Sequence, residues 1–131
     1  MSQVVIKPKG QEPEDYEVAA KRFEKVKFGA VLTKDVLTEA MALQNILVNI
    51  TAKVNGQTVS LEDVCYKPLA PDNNNCAIMS PLQWFQNSQD NLDKTRGTKN
   101  YKDHMYYCAR WVPIKFAQLN ENCFESHLMP F

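Results

Sequence analysis

Four cysteines constrain this chain more than any other feature. Cys65, Cys76, Cys108 and Cys123 each lie 11 or more positions from the next, so no CxxC pair forms. The two histidines, His104 and His127, are not in zinc-ligand spacing with them, and no metal site is expected. Cys108 and His104 share a helical face, the arrangement a nucleophile and base would need. An oxidised cysteine beside an ordinary histidine is the simpler reading. An even set of widely spaced cysteines predicts disulfides. Four cysteines allow three pairings, and spacing alone does not choose among them. The two local loops, Cys65–Cys76 and Cys108–Cys123, are the most economical, each contributing on the order of 3 kcal/mol in the chain-entropy account. Asn49-Ile50-Thr51 is an N-glycosylation acceptor triplet. With the cysteines, it points to an oxidising lumen or the cell exterior.

At 131 residues the chain fits one domain, and its 44% hydrophobic content supplies a core. Fifteen basic residues balance fifteen acidic ones. Nucleic acid and anionic membranes favour a strongly basic surface, so a protein partner is expected instead. No apolar stretch approaches the roughly 20 residues of a membrane span. Residues 1–8 lack the hydrophobic segment of a secretory signal. Luminal chemistry without a signal leads us to expect a piece of a longer protein.

Val4-Val5-Ile6 reads as a short strand ended by Pro8 and Gly10. Residues 13–28 predict a helix, with a charged loop as the alternative. Acids (Glu14, Asp15, Glu17) lead, bases (Lys21, Arg22, Lys25, Lys27) follow, and Tyr16, Ala20, Phe23 and Val26 form an apolar stripe. Thr33 is the expected N-cap of a helix over 34–45, with Val36, Ala40, Leu43 and Leu47 as its core stripe beside Leu37 and Met41. Residues 46–54 alternate as a strand, which puts Asn49 on its polar face. Asn55-Gly56 then signals a hairpin returning through Thr58–Leu61. Residues 66–75 are loop chemistry throughout. Ser80-Pro81 opens a helix predicted to run to about Asn91, with Trp84 and Phe85 as core anchors. A polar loop over 92–99 precedes a helix over 101–109 carrying Met105 and Cys108 on one side. Residues 111–131 read as strand-like and irregular pieces. The expected class is α+β, with helices packed around a small antiparallel sheet.

No sequence signature of catalysis is present. There is no phosphate-binding glycine loop, no GxSxG and no HExxH. Asp103-His104 suggests a general base, but no nucleophile sits in a recognisable setting. We expect no enzyme activity and no cofactor.

The ordered run Leu61-Glu62-Asp63-Val64-Cys65-Tyr66-Lys67-Pro68-Leu69-Ala70-Pro71, then Asn75-Cys76, then Ser80, Leu82 and Phe85-Gln86-Asn87, resembles the Niemann–Pick type C intracellular cholesterol transporter family. So does Tyr101-Lys102-Asp103-His104 leading into Tyr107-Cys108. The likeness covers most of residues 28–123 and is to the family's middle luminal domain. It implies that residues 1–131 are a single luminal domain inserted between two transmembrane helices of a late endosomal or lysosomal membrane protein. The ends, near Val4–Lys7 and before Phe131, would run together as a stalk. The likeness also implies the pairings Cys65–Cys76 and Cys108–Cys123, and a glycan at Asn49.

In that family the domain docks a small soluble sterol carrier and assists cholesterol handoff, and in mammals two protruding loops also receive filovirus glycoproteins. Those loops correspond to about residues 11–28 and 88–101. The first lacks the proline-rich apolar tip of the mammalian pattern, and the second lacks its paired phenylalanines, so filovirus binding is not expected. Tyr16, Phe23, Asp93, Lys94, Arg96, Lys99 and Tyr101 are the candidate partner contacts. Other domains of the same transporter are expected partners too. The competing reading is a ligand-binding ectodomain of a Patched-type receptor. The spacing of the first two cysteines and the Phe-Gln-Asn segment favour the transporter.

Overall fold

The computed structural model describes residues 3–18, 25–95 and 97–111, the last two by backbone only. Within them an α+β arrangement forms, with two separate two-stranded antiparallel sheets in place of one. The element order is β1 (Glu14–Glu17), β2 (Lys25–Phe28), α1 (Lys34–Val48), β3 (Thr51–Val54), β4 (Gln57–Ser60), α2 (Leu61–Val64), α3 (Gln89–Asp93) and α4 (Tyr101–Trp111). Short 3-10 turns occupy Ala30–Leu32 and Pro81–Phe85.

Where a helix was expected over 13–28, the described residues form strands instead: β1 and β2 pair as an antiparallel hairpin. The segregation of acids before bases, read as a match to a helix dipole, serves cross-strand pairing instead. Asp15 faces Lys27 and Glu17 faces Lys25 across the ladder. Alternation then turns Tyr16, Val18, Val26 and Phe28 inward, with Val18 and Phe28 buried. Phe23 lies outside the described residues. Val4-Val5-Ile6, expected as a strand, pairs with neither sheet and is exposed.

Thr33 precedes α1 as expected, but its side chain caps nothing, and its hydroxyl is buried without a hydrogen-bond partner. The helix runs to Val48, past the boundary expected at Asn45. The alternation of residues 46–50 is therefore the end of a helix, and the strand begins only at Thr51. The core face is also rotated from the expected stripe. Leu37 and Met41 are buried and Ala40 packs against the core, while Leu43 is exposed. The same face ends in a polar contact, Gln44 Nε2 donating to Asn87 Oδ1 at 2.5 Å.

Asn55-Gly56 makes the predicted hairpin turn. Both residues take positive φ (51° and 79°), and Val54 pairs with Gln57 across it. At Ser60 a capping box opens α2, with the Asp63 carboxylate accepting from the Ser60 backbone N–H. That bond, with a second from the Ser60 hydroxyl at 2.9 Å, holds the Asp63 carboxyl below the usual carboxylate range.

Ser80 caps the next turn as expected, its Oγ accepting from the Leu82 N–H with Pro81 at the first position. The helix predicted to continue to Asn91 breaks at Gln86 and Asn87, both left-handed with φ 53°. Such a pair costs free energy without glycine. Side-chain bonds offset it: Asn87 Nδ2 donates to Gln83 Oε1, and Asn87 Oδ1 accepts from Gln44. The break frees α3 to start anew at Ser88 and bury Leu92, a residue assigned to a loop by its polar surroundings. The helix expected from residue 101 forms as α4, with Met105 and Cys108 buried.

One core joins Phe28, Leu37, Met41, Leu82, Phe85, Leu92 and Met105, and Trp84 packs against it partly buried. From Ala42 to Pro81 no side chain is buried. That stretch (the end of α1, the β3–β4 hairpin, α2 and the following loop) stands off the core. It is held by its backbone ladder and by the Cys65–Cys76 disulfide, whose Cα atoms lie 5.5 Å apart. Cys108 is not a free thiol. Its expected partner Cys123, like the pieces expected over 112–131, lies outside the described residues. No helix among the described residues is long and apolar enough to cross a membrane.

Candidate loop platform at the start of the last helix

The two segments singled out as partner loops meet at the first turn of α4. The local cause is a second capping box. Asn100 Oδ1 accepts from the Lys102 N–H at 2.8 Å, while Asp103 Oδ2 accepts from the Asn100 N–H at 2.9 Å. This fixes the end of the second loop to the helix. The same Asp103 Oδ2 accepts from the Tyr16 hydroxyl at 2.8 Å, across 87 positions of sequence. The first loop is thereby held by the carboxylate that caps the second.

Asp103 is fully buried, and Lys102 is nearly so. The Lys102 ammonium pairs with Glu14 at 2.5 Å and lies over the Tyr16 and Tyr101 rings at 5.0 and 5.8 Å. Tyr16 also meets Phe28 edge-on, with ring centroids 5.9 Å apart. Burial, then the hydrogen bond to Asp103, pushes the Tyr16 phenol well above its ordinary pKa. Burial likewise raises Tyr101.

The predicted contact residues therefore divide. Tyr16 and Tyr101 are half-buried and turned toward the core, and Lys99 is half-buried. Asp93 and Lys94 are exposed. Asp93 pairs with Lys34 at 2.7 Å and accepts from Gln89 at 3.1 Å. These bonds, that from Lys34 first, hold its carboxyl below the usual range. A bond from Gln89 to Thr38 ties α3 further to α1. Arg96 and Phe23 lie outside the described residues. Glu14, Asn100, Lys102 and Asp103 were not among the predicted contacts, although Asp103 was considered as a general base. Asn-x-x-Asp ahead of a helix is a cap signature that could have found two of them. Nothing in sequence links Glu14 to Lys102. Asn49, expected on a strand face, instead ends α1, exposed, with its Nδ2 donating to Asn45 O at 2.7 Å.

His104 carries a different chemistry from that its neighbour suggested. It is buried against Phe85 (centroids 5.1 Å apart), with Nε2 2.6 Å from the Trp84 carbonyl. A carbonyl only accepts, so Nε2 holds the proton. Cys108 Sγ lies 3.5 Å from that nitrogen, and because it is not a free thiol the pair is no nucleophile and base. Burial lowers the His104 pKa, with the Trp84 carbonyl opposing. The unfolded chain therefore binds a proton near pH 6.5 that the folded chain refuses. Stability from this group is present in full above pH 6.5 and declines as pH falls below it. We expect a lower melting temperature at pH 5 than at pH 7, and a smaller difference in His104→Gln. An unchanged difference in the variant would assign the effect to other groups.

Among the described residues, no three or more His, Cys, Asp or Glu side chains gather as a metal site. The profile of the family described as NPC1, middle luminal domain, matches residues 1–131. The chain is 43% identical over 90 residues to NPC intracellular cholesterol transporter 1 of Sus scrofa, covering 65% of this chain and 7% of that protein. It is 40% identical over 67 residues to NPC intracellular cholesterol transporter 1 homolog 1 of Caenorhabditis elegans, covering 50% and 5%. With the human NPC1-like intracellular cholesterol transporter 1 it shares 35% over 102 residues, covering 68% and 7%. The chain thus spans a small fraction of the relatives it matches.

Proposed function

The chain belongs to the NPC1 middle luminal domain family, and from that premise we propose that it is the partner-docking luminal domain of a late endosomal or lysosomal sterol transporter. It binds a soluble sterol carrier and assists the handoff of cholesterol, with no catalysis of its own. The observation that carries this reading is the joining of Tyr16 from the first segment and Asn100 from the second at one buried carboxylate, Asp103. Two loops fixed to a common support present one surface, and pre-organised surfaces bind without a large ordering cost. Asp93 and Lys94 lie exposed on the second loop. The named relatives are cholesterol transporters, which supports transport over receptor signalling. The Cys108–Cys123 pairing belongs to the same proposal, and peptide mapping without reduction tests it.

The test is binding of this chain to its own species' soluble carrier, empty and sterol-loaded, at pH 5 and pH 7. Saturable binding that prefers the loaded carrier and weakens on charge reversal of Asp93 and Lys94 is the expected result. Absence of binding under all four conditions, with the disulfides intact, would sink the docking reading. Asn49, exposed at the end of α1, is the proposed glycan site. Glycosidase treatment of protein from a secretory host should lower its mass, and Asn49→Gln should abolish that shift.

A further inference from the structure

The candidate contacts include Tyr16, yet its hydroxyl is committed inward and its ring lies between Phe28 and Lys102. A partner cannot take that hydroxyl as a donor without breaking the bond to Asp103. We propose that Tyr16 and Asp103 are positioning residues, a buried brace that locks the β1–β2 hairpin to the start of α4 so that both loops meet a partner as one rigid unit. This rests on the docking reading and deepens it.

Three features carry the proposal. First, Asp103 Oδ2 takes two donors from different loops, Tyr16 Oη at 2.8 Å and Asn100 N at 2.9 Å. Displacing either loop leaves a buried carboxylate short of a donor, which is costly in a dry site. Second, Asn100 is tied to the same helical turn twice, its N–H donating to Asp103 and its Oδ1 accepting from the Lys102 N–H at 2.8 Å. Third, the ion pair from Lys102 to Glu14 adds a parallel tie from the same helical turn to the same strand. The hairpin has only two strands, and such a unit is marginal without a support. The turn of α4 that bears Asp103 provides one.

Asp103 is wholly buried. A substitution there affects a partner only by altering how the loops are held, which separates positioning from contact. The experiment uses the full chain and compares wild type, Tyr16→Phe, Asp103→Asn and the double variant. Tyr16→Phe retains the ring against Phe28 and removes only the donor. Two readouts are taken: affinity for the sterol-loaded carrier, and amide hydrogen exchange across residues 14–18, 25–28 and 97–101.

We expect each single variant to weaken carrier binding on the order of tenfold, the loss of one hydrogen bond to a charged group. The double variant should lose no more than the worse single, because both act through one link. Exchange should rise in the hairpin and at residues 97–101 while the interior of α1 keeps its protection. A uniform rise including α1 would show a general loss of stability and overturn the brace. So would additive losses in binding, or unchanged exchange in Tyr16→Phe. If the wild type binds no carrier, the docking reading fails on its own, and hydrogen exchange still decides whether the brace exists.

Discussion

Phe85→Ala is expected to lower the unfolding free energy by about 3–5 kcal/mol, the cost of a large aromatic removed from a core that does not collapse around the void. Phe85 is completely buried. It sits where the turn after Ser80 delivers Leu82 and Phe85 into the cluster with Phe28, Leu37, Met41, Leu92 and Met105. These come from β2, α1, α3 and α4, so the ring belongs to the cluster where those elements meet. It also forms one wall of the His104 site. A void there would admit water beside the imidazole and weaken the bond to the Trp84 carbonyl. Single domains carry about 5–15 kcal/mol in total, so the variant should approach or cross the limit of folding at 37 °C. Denaturant unfolding followed by far-ultraviolet circular dichroism measures the loss. Phe85→Leu, which keeps most of the volume, should cost clearly less. A loss below about 1 kcal/mol for the alanine variant would contradict this core.

How far the sequence announced this fold depends on the range of the forces at each site. Asn55-Gly56 and Ser80-Pro81 were legible because a turn and a cap are decided by a few adjacent residues. The helix before the hairpin was legible in kind, though its end and its buried face were not. Alternation over residues 46–50 suits a strand as well as a helix terminus, and the local pattern does not show that α1 runs on to Val48. The same ambiguity misled the reading of residues 13–28. Acids followed by bases fit a helix dipole and an antiparallel ladder equally, and only the register with residues 25–28 separates them. The left-handed pair Gln86 and Asn87 was invisible for the opposite reason, since neither residue marks such a break as glycine would. At the candidate site, the resemblance pointed to two segments, and the structure brings them together at Asp103. The residues that join them had no local signal strong enough to stand out. Tyr16 and Asp103 are far apart in sequence, and a contact of that span is a product of the fold.

Replacing both Cys65 and Cys76 with serine should destabilise the loop they close by about 3 kcal/mol while sparing the core. The disulfide closes a separation of 11 residues, and loop-closure entropy gives a value of that size. Its consequence is local because of what surrounds it. No side chain from Ala42 to Pro81 is buried, and the core cluster draws none of its buried members from that stretch. Val64, Tyr66 and Met79 are each at least 70% exposed, so burial cannot take over when the bridge is gone. The remaining ties across the loop are few, among them the Ala77 N–H donating to the Tyr66 carbonyl at 2.8 Å. Hydrogen exchange across residues 66–79 should therefore quicken on the order of 100-fold, the equivalent of about 3 kcal/mol, while α1 and α4 keep their protection. Substitution is the cleaner test than a reducing agent, because Cys108 is not a free thiol and would respond too. Equal loss of protection in α4 would mean that the off-core lobe and the core unfold as one unit. Unchanged exchange would mean that the β3–β4 ladder and the capping box at Ser60 hold the loop unaided, a demanding task for one exposed hairpin.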